Sequence, residues 1–251
     1  MSTQFVIVGA PRTGSTLLVK TLNSLDGVCC HGELLGADQV RGYEDGADLI
    51  NMTQQQRTER LQRLLRERSA DPVGFIHQAL DRPSAAAGFK ALYSAFLDPR
   101  WQDVVDSLLK ADSFRFIHLT RTNTLRRFVS EQILLQGGPN HSGAGGRSEQ
   151  AIAVTIDIDE FLQRSAELEN QAAALDALLS ARPVFKVHYE TLAAETAETV
   201  AQVCDFLGLD VDAATIQPAL KKVGASNLQK VVRNYQQLLD HPATRVLALA
   251  D

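Results

Sequence analysis

The 251-residue sequence lacks any long apolar run. Its apolar runs, such as residues 5–8 and 172–175, fall far short of the roughly 18 residues that a membrane helix needs. The first residues also lack the basic start and the apolar core of a secretion signal. We therefore expect neither export nor membrane anchoring.

Cysteine is scarce, with three residues in the whole chain. Cys29 and Cys30 are adjacent, a geometry that rarely permits a mutual disulfide, and Cys204 has no evident partner. Because small odd sets of thiols are typical of reducing compartments, we expect a cytoplasmic location.

Positive charge is not in excess either, since 25 lysines and arginines face 30 acids and the net charge is −5. This balance argues against nucleic acid as a partner. Acids are themselves missing from two stretches, one before Asp26 and one between Ser113 and Ser130. The cations in these stretches are Arg12, Lys20, Arg115, Arg121, Arg126 and Arg127. Two acid-free, cation-bearing segments in an acidic chain predict a local binding site for an anion.

Apolar residues make up 45% and charged residues 22% of the chain, as in ordinary globular proteins. Short β-rich runs alternate with helical patterns. The predicted strands are residues 5–8, 28–31, 88–92, 114–120 and 184–187. The predicted helices are residues 16–25, 100–110, 124–136, 158–179 and 195–207, with Gly208 as a C-cap. This alternation predicts an α/β fold of three layers, with helices on both faces of a central parallel sheet.

No internal repeat or linker is evident, so we expect a single domain over residues 1–251. A helical insertion is predicted at 36–80, in which residues 54–68 are charged enough to form a solvent-exposed helix. A helical C-terminus is also predicted. The sequence GGPNHSGAGG at 137–146 predicts a long loop, either a substrate lid or a plain insertion.

The strongest local motif is the loop between the first strand and the first helix. Gly9, Gly14 and Thr16 match the phosphate-binding pattern G-x-x-x-x-G-K-[ST], but Ser15 stands where the lysine belongs. Such a loop aims backbone amides and the helix N-terminus at a phosphate. Since the missing lysine normally reaches the β- and γ-phosphates, a nucleotide with a single 5′ phosphate is favoured over ATP or GTP. Arg12 supplies a cation from within the loop.

Residues 11–16, PRTGST, resemble the 5′-phosphosulfate loop P-[KR]-[ST]-G-[ST]-T of the sulfotransferases that use 3′-phosphoadenosine 5′-phosphosulfate (PAPS). The family's 3′-phosphate element, a strand ending in arginine before a serine-bearing helix, is similar to residues 116–121 (FIHLTR) followed by Ser130. Residues 189–192 (YETL), 206–209 (FLGL) and 234–235 (NY) are similar to later family segments. The matches span most of the chain in the family's order.

The resemblance implies transfer of a sulfuryl group from PAPS to a hydroxyl or amine of a small molecule, lipid or glycan. It implies that the residues binding the 5′ end are Arg12, Thr13, Gly14, Ser15 and Thr16, and that Arg121 and Ser130 bind the 3′ phosphate. The Arg121-to-Ser130 spacing is one residue longer than in the family, and Thr122 stands at the expected arginine position. Arg126 can substitute or assist, while a solvated basic face is an equal interpretation of Arg126 and Arg127.

Glu33, in the segment CCHGE, is similar to the G-E segment of protein-tyrosine sulfotransferases, which implies that it is the catalytic base. A helix-capping or surface role is its alternative. His31 is the rival base, because cytosolic sulfotransferases use a histidine. Lys90, in GFKAL, is expected either to contact the transferring group, with Arg12, or to lie at the surface. Lys221 and Lys222 fall where a phosphate-contacting loop is expected or face solvent.

We expect no metal, since no acidic pair suited to magnesium stands out and Cys29, Cys30 and His31 lack a second ligand pair. Two other functions stay open: a P-loop kinase for small molecules or nucleotides, and a non-catalytic nucleotide-binding module. The acceptor pocket is expected to use residues 36–80 and 137–156, which carry no motif that names the acceptor. The oligomeric state is open as well.

Overall fold

The computed structural model describes residues 2–138, 152–219 and 227–250. Within them, the sheet consists of β1 Thr3–Gly9, β2 Val28–Glu33, β3 Ala86–Leu92, β4 Arg115–Thr120 and β5 Val184–His188. All neighbours pair in parallel, in the order β2-β3-β1-β4-β5. All five predicted strands are thus confirmed. Because the strands are parallel, their carboxyl ends meet at one edge, where ligands of such sheets bind.

The helices of the described ranges are α1 Ser15–Leu22, α2 Gln54–Ala70, α3 Pro72–Leu80, α4 Tyr93–Phe96, α5 Gln102–Lys110, α6 Thr124–Leu135, α7 Ile158–Leu178, α8 Tyr189–Ala194, α9 Thr196–Phe206, α10 Tyr235–Asp240 and α11 Pro242–Leu249. The five helices predicted from periodicity correspond to α1, α5, α6, α7 and α9. Gly208 has a φ of 75° and follows α9. The amide of Leu209 donates to the carbonyl of Cys204 at 2.8 Å, which confirms the predicted cap.

Helices cover both faces of the sheet because the strands are apolar on both sides. Along β1, Val6 and Val8 pack with side chains of α2, α3, α5 and α7. Phe5 and Ile7 point to the opposite face and pack with α1 and α9. The three-layer α/β architecture expected from the sequence is therefore confirmed.

The segment predicted as a helical insertion is helical only in its second part. Residues 36–53 form no helix, and α2 begins after Thr53, whose side chain accepts a hydrogen bond from the Gln56 amide. The helix is mostly exposed, as its charge predicts, but Arg68 is buried. Arg68 donates to the Leu34 carbonyl at 2.6 Å, and its guanidinium lies 4.7 Å from the centre of the Trp101 ring. A cation therefore anchors α2 to the core.

The last described residues form α10 and α11, and the Asn123 side chain donates to the Leu247 carbonyl at 2.9 Å. The predicted loop at 137–146 is described only at Gly137 and Gly138, and Lys221 and Lys222 lie outside the described residues. None of the helices in the described ranges is long and apolar enough to cross a membrane.

Candidate active site

A cavity of about 500 Å³ lies at the carboxyl edge of the sheet. It is lined by the loop after β1, the ends of β2 and β3, and residues of α1, α6 and α8. The predicted site residues among its lining are Arg12, Gly14, Ser15, Thr16, Glu33, Lys90, Arg121 and Ser130. The two acid-free segments of the sequence therefore meet in one cavity. Thr13 is not among the lining residues, because its side chain is buried and its hydroxyl donates to the Ala10 carbonyl at 2.8 Å.

The loop after β1 delivers the N-terminus of α1 to the cavity. Gly14 precedes the helix with a φ of 82° and offers no side-chain cap. The amide of Leu18 bonds to the Gly14 carbonyl at 3.2 Å, so the earlier amides of the helix have no intrahelical partner. A Cβ atom at Gly14 would lie 2.5 Å from Cδ2 of Tyr189. Glycine is thus needed here both for its backbone conformation and for the close approach of a ring.

Arg12 connects the two halves of the cavity wall. Its Nε donates to Oγ of Ser130 at 3.0 Å, and its carbonyl accepts from Nη1 of Arg121 at 3.1 Å. Its φ of 66° places a non-glycine residue in the left-handed region, at a cost of about 1–2 kcal/mol. Burial lowers the pKa of the Arg12 guanidinium below its ordinary value. The loop is therefore strained and desolvated where it presents this cation.

Arg121 is a half-buried cation of the cavity wall. Its guanidinium lies 4.3 Å from the centre of the Tyr189 ring, and its Nε is buried without a hydrogen-bond partner in the described part of the chain. Burial is the main cause that lowers the Arg121 pKa, against the opposing effect of Tyr189. A half-buried, incompletely bonded guanidinium is stabilised by an anion. Sequence reasoning assigned no role to Tyr189, although an aromatic residue directly after a strand at the sheet edge was a usable signal.

The segment that carries Arg121 is held by hydrogen bonds from neighbouring elements. The Glu190 carboxylate accepts from the amides of Thr122 at 3.1 Å and Asn123 at 3.0 Å. Burial acts to raise the pKa of Glu190, but these amide bonds outweigh it and the pKa is lowered overall. The Asn123 side chain in turn accepts from the Arg126 amide and caps α6. The backbone around Arg121 is therefore fixed on both sides.

Arg126 and Arg127 are not among the described residues that line the cavity, and they differ in burial. Nε of Arg126 donates to the Ala250 carbonyl at 2.9 Å. Arg127 is buried, and its Nη1 donates to the Glu131 carboxylate at 2.7 Å and to the Pro11 carbonyl at 3.5 Å. Arg127 thus supports the loop from behind. The i, i+4 spacing to Glu131 was the sequence signal for this pair.

On the β2 side, Glu33 and Lys90 form an ion pair. Oε1 of Glu33 and Nζ of Lys90 are 2.7 Å apart, and the two side chains are 20% and 13% exposed. The pairing of β2 with β3 sets Glu33 opposite Lys90. The carboxylate and the ammonium expected to act in one reaction therefore share one part of the cavity wall.

His31, the rival base, is committed to the backbone. It is fully buried and does not line the cavity. Nε2 lies 2.7 Å from the Ala79 carbonyl, and Nδ1 accepts from the Glu44 amide at 2.9 Å. Burial is the main cause that lowers the pKa of His31 to about 4. These contacts give the histidine a structural role in the neutral form.

The described residues contain no group of three histidine, cysteine, aspartate or glutamate side chains arranged to hold a metal ion. Cys29, Cys30 and Cys204 are all free thiols.

The model of the sulfotransferase family matches residues 4–213. No curated protein matches the chain. The sulfotransferase domain from the Synechococcus PCC 7002 olefin synthase is similar, with a TM-score of 0.56 and 20% identity over 98% of this chain and 86% of that one. The sulfotransferase domain from the curacin biosynthetic pathway has a TM-score of 0.55 and 16% identity over 99% of this chain and 89% of that one. These structures show the shared fold, and the family match shows that the chain belongs to the sulfotransferase family.

Proposed function

We propose that the protein transfers a sulfuryl group from PAPS to a hydroxyl or amine of an acceptor and releases adenosine 3′,5′-bisphosphate. One observation carries this proposal: a single cavity joins the phosphate-type loop at Arg12 to the half-buried guanidinium of Arg121, with the Glu33–Lys90 ion pair on its wall. PAPS carries charge at two ends, so its binding protein needs two separated anion sites.

In this proposal, the 5′-phosphosulfate lies against the amides at the start of α1, the hydroxyls of Ser15 and Thr16, and Arg12. The 3′ phosphate bonds to Arg121 and Ser130. The long Arg121-to-Ser130 spacing fits this assignment, because the preceding residue, Val129, is buried in an apolar cluster while Ser130 lines the cavity.

The transfer step follows from these positions. The acceptor hydroxyl gives its proton to the Glu33 carboxylate as its oxygen forms a bond to sulfur. The bond between sulfur and the 5′-phosphate oxygen breaks, and its electron pair stays on the phosphate. Arg12, the loop amides and Lys90 stabilise the charge that develops on that oxygen. Every group in this step belongs to the chain, the donor or the acceptor, and no metal enters it.

The donor is tested by calorimetric titration with adenosine 3′,5′-bisphosphate, ATP and adenosine 5′-phosphate. We expect the bisphosphate to bind most tightly, and Arg12→Ala to weaken it by roughly two orders of magnitude, since it removes charge-assisted bonds from a desolvated site. Arg66→Ala, a change at an exposed arginine of α2, is the matched control. Tighter binding of ATP than of the bisphosphate would instead identify a kinase.

Transfer itself is tested with PAPS carrying radiolabelled sulfur and a panel of alcohols and amines drawn from small molecules, lipids and glycans. Labelled product that depends on Glu33 supports the proposal. Bisphosphate binding without transfer to any member of the panel would identify a non-catalytic nucleotide-binding module. The free thiols of Cys29, Cys30 and Cys204 support the cytoplasmic location that we propose for this reaction.

A further inference from the structure

The cavity is far more basic than the chain that forms it. The charged residues among its described lining are the cations Arg12, Lys20, Arg41, Lys90 and Arg121 and the acids Glu33 and Glu44. The whole chain carries a net charge of −5. The two charged ends of PAPS account for Arg12 and Arg121, and Lys90 is paired with Glu33. Lys20 and Arg41 are cations that the donor does not require.

Arg41 is held beside the proposed base by the backbone. Its amide donates to the Glu33 carbonyl at 3.0 Å, and the amide of Gly32 donates to the Gly42 carbonyl at 2.7 Å. A Cβ atom at Gly32 would lie 2.5 Å from the Arg41 carbonyl oxygen, so this contact requires glycine. The backbone at Arg41 is therefore fixed against the end of β2.

Lys20 is held toward the same strand by α1. Asn23 lies almost one turn after Lys20 and exchanges two hydrogen bonds with Cys30 of β2, at 2.6 and 2.7 Å. Both Lys20 and Arg41 are exposed. Neither side chain has a hydrogen bond or an ion pair with any residue that the structure describes.

The order of the strands separates these cations from the 3′-phosphate site. Three strand spacings lie between β2 and β4, and at about 4.8 Å each their ends are about 14 Å apart. Arg121 follows β4, whereas Glu33 ends β2, Arg41 is bonded to Glu33, and the Cys30 contact of Asn23 lies within β2. The basic pair therefore lies at the acceptor end of the cavity.

We propose that the acceptor carries an anionic group, a carboxylate or a phosphate, which Arg41 and Lys20 bind while its hydroxyl faces Glu33. This inference rests on the proposed function. Glu44 also lines this end of the cavity, and its negative charge opposes the binding of an anion. Its backbone amide donates to Nδ1 of His31. A neutral or cationic acceptor leaves both cations without a counter-charge inside the cavity.

The test uses alcohols of matched length and different charge, with labelled PAPS as donor. The compounds are 6-hydroxyhexanoate, 6-hydroxyhexyl phosphate, 1,6-hexanediol and 6-aminohexanol, together with an aromatic set of 4-(hydroxymethyl)benzoate and 4-(hydroxymethyl)benzyl alcohol. We expect kcat/KM to be about tenfold higher for the anions than for the matched neutral alcohols, and the ratio to fall with salt. The two hexyl anions separate carboxylate from phosphate recognition.

Variants assign the preference to the two cations. Arg41→Gln and Lys20→Gln are each expected to lower the anion-to-neutral ratio of kcat/KM by about three- to tenfold. The affinity for adenosine 3′,5′-bisphosphate should match that of Lys110→Gln, the control at an exposed lysine of α5. Glu44→Gln is expected to raise the ratio by about two- to threefold because it removes a like charge.

The outcomes separate this inference from the proposed function. Transfer that shows no preference for anions, or a ratio unchanged in both cation variants, overturns the anionic acceptor and leaves sulfuryl transfer intact. Weaker bisphosphate binding in Arg41→Gln or Lys20→Gln assigns these residues to the donor and also overturns it. Absence of transfer to every compound in the set, and to the wider panel, contradicts the proposed function itself.

Discussion

The two ends of the cavity are built in different ways. At the β4 end, contacts join four separate parts of the chain: Arg12 of the loop after β1, Arg121 after β4, Ser130 of α6 and Tyr189 of α8. At the β2 end, one ion pair and the two exposed cations Lys20 and Arg41 line the cavity, and no side-chain bond among the described residues joins the pair to these cations. The difference fits a donor of constant shape, for which a preorganised site lowers the cost of binding, beside an acceptor end that can differ among related proteins.

The β4 end also stores unfavourable free energy that the β2 end does not. Arg12 has a left-handed backbone, and the described part of the chain offers no hydrogen-bond partner to Nε of Arg121 or to Nε and Nη2 of Arg127. Buried donors of this kind each cost about 1–3 kcal/mol. Of Arg121 and Arg127, Arg121 lines the cavity, so an anion bound there returns part of this cost. Donor binding should therefore stabilise the protein against unfolding.

The largest effect is expected from Glu33→Gln, which changes only the β2 end. Loss of the proposed general base should lower the rate of transfer by roughly 10²–10⁴-fold while the affinity for adenosine 3′,5′-bisphosphate is retained. Single-turnover assays with labelled PAPS and calorimetry measure the two quantities. Asp26→Asn, at an exposed acid before β2, is the matched control. Full activity in Glu33→Gln would assign the base to another residue.

At the β4 end, Arg121→Ala should act on binding and not on the base. We expect the Kd of adenosine 3′,5′-bisphosphate to rise about 100-fold, because two or more charge-assisted hydrogen bonds are lost. Binding of adenosine 5′-phosphate should change little. Arg66→Ala, which removes the same charge at an exposed position of α2, is the control. An equal loss for both nucleotides would show that Arg121 acts through the Arg12 carbonyl and not on the 3′ phosphate.

Arg127→Ala tests whether the β4 end depends on the contacts of Arg127 with Glu131 and with the Pro11 carbonyl of the loop after β1. Removing one partner of a mostly buried pair, together with its packing, should lower the free energy of unfolding by about 2–3 kcal/mol. Urea denaturation measures this, and the double variant Arg127→Met with Glu131→Met should recover part of the loss. A loss of stability below about 0.5 kcal/mol, the range of ordinary surface changes, would contradict a supporting role of Arg127 at the β4 end.

The smallest effect concerns pH and the β2 end. Because the pKa of His31 is about 4 in the folded protein, the unfolded chain binds this proton more readily. The contribution of neutral His31 to the free energy of unfolding is therefore fully present above the ordinary histidine pKa. It is lost as pH falls, by about 2 kcal/mol between pH 8 and pH 5. His31→Gln should show a correspondingly weaker pH dependence in urea denaturation. An unchanged dependence would contradict the buried, neutral assignment.

Local patterns predicted much of the fold and of the candidate site. Each strand is an apolar run, and the loop from Arg12 to Thr16 is contiguous, so its residues must lie together wherever the loop folds. These patterns were less informative about side chains whose contact partners are distant in sequence. Arg68 was expected on a solvated face but is buried. Arg127, for which a solvated face and a ligand role were equal interpretations, is buried against Glu131, and His31 is bound by the Ala79 carbonyl and the Glu44 amide.

The sequence by itself determined the alternation of strands and helices, the phosphate-type loop and the two acid-free segments, because these are properties of neighbouring residues. Only the tertiary structure decided that β2 and β4 lie on opposite sides of β1, and so that Glu33 meets Lys90 while Arg12 meets Arg121 and Ser130. Parallel strands pair through connections of many residues, and their order is set by the burial of whole helix and sheet faces, which local patterns do not encode.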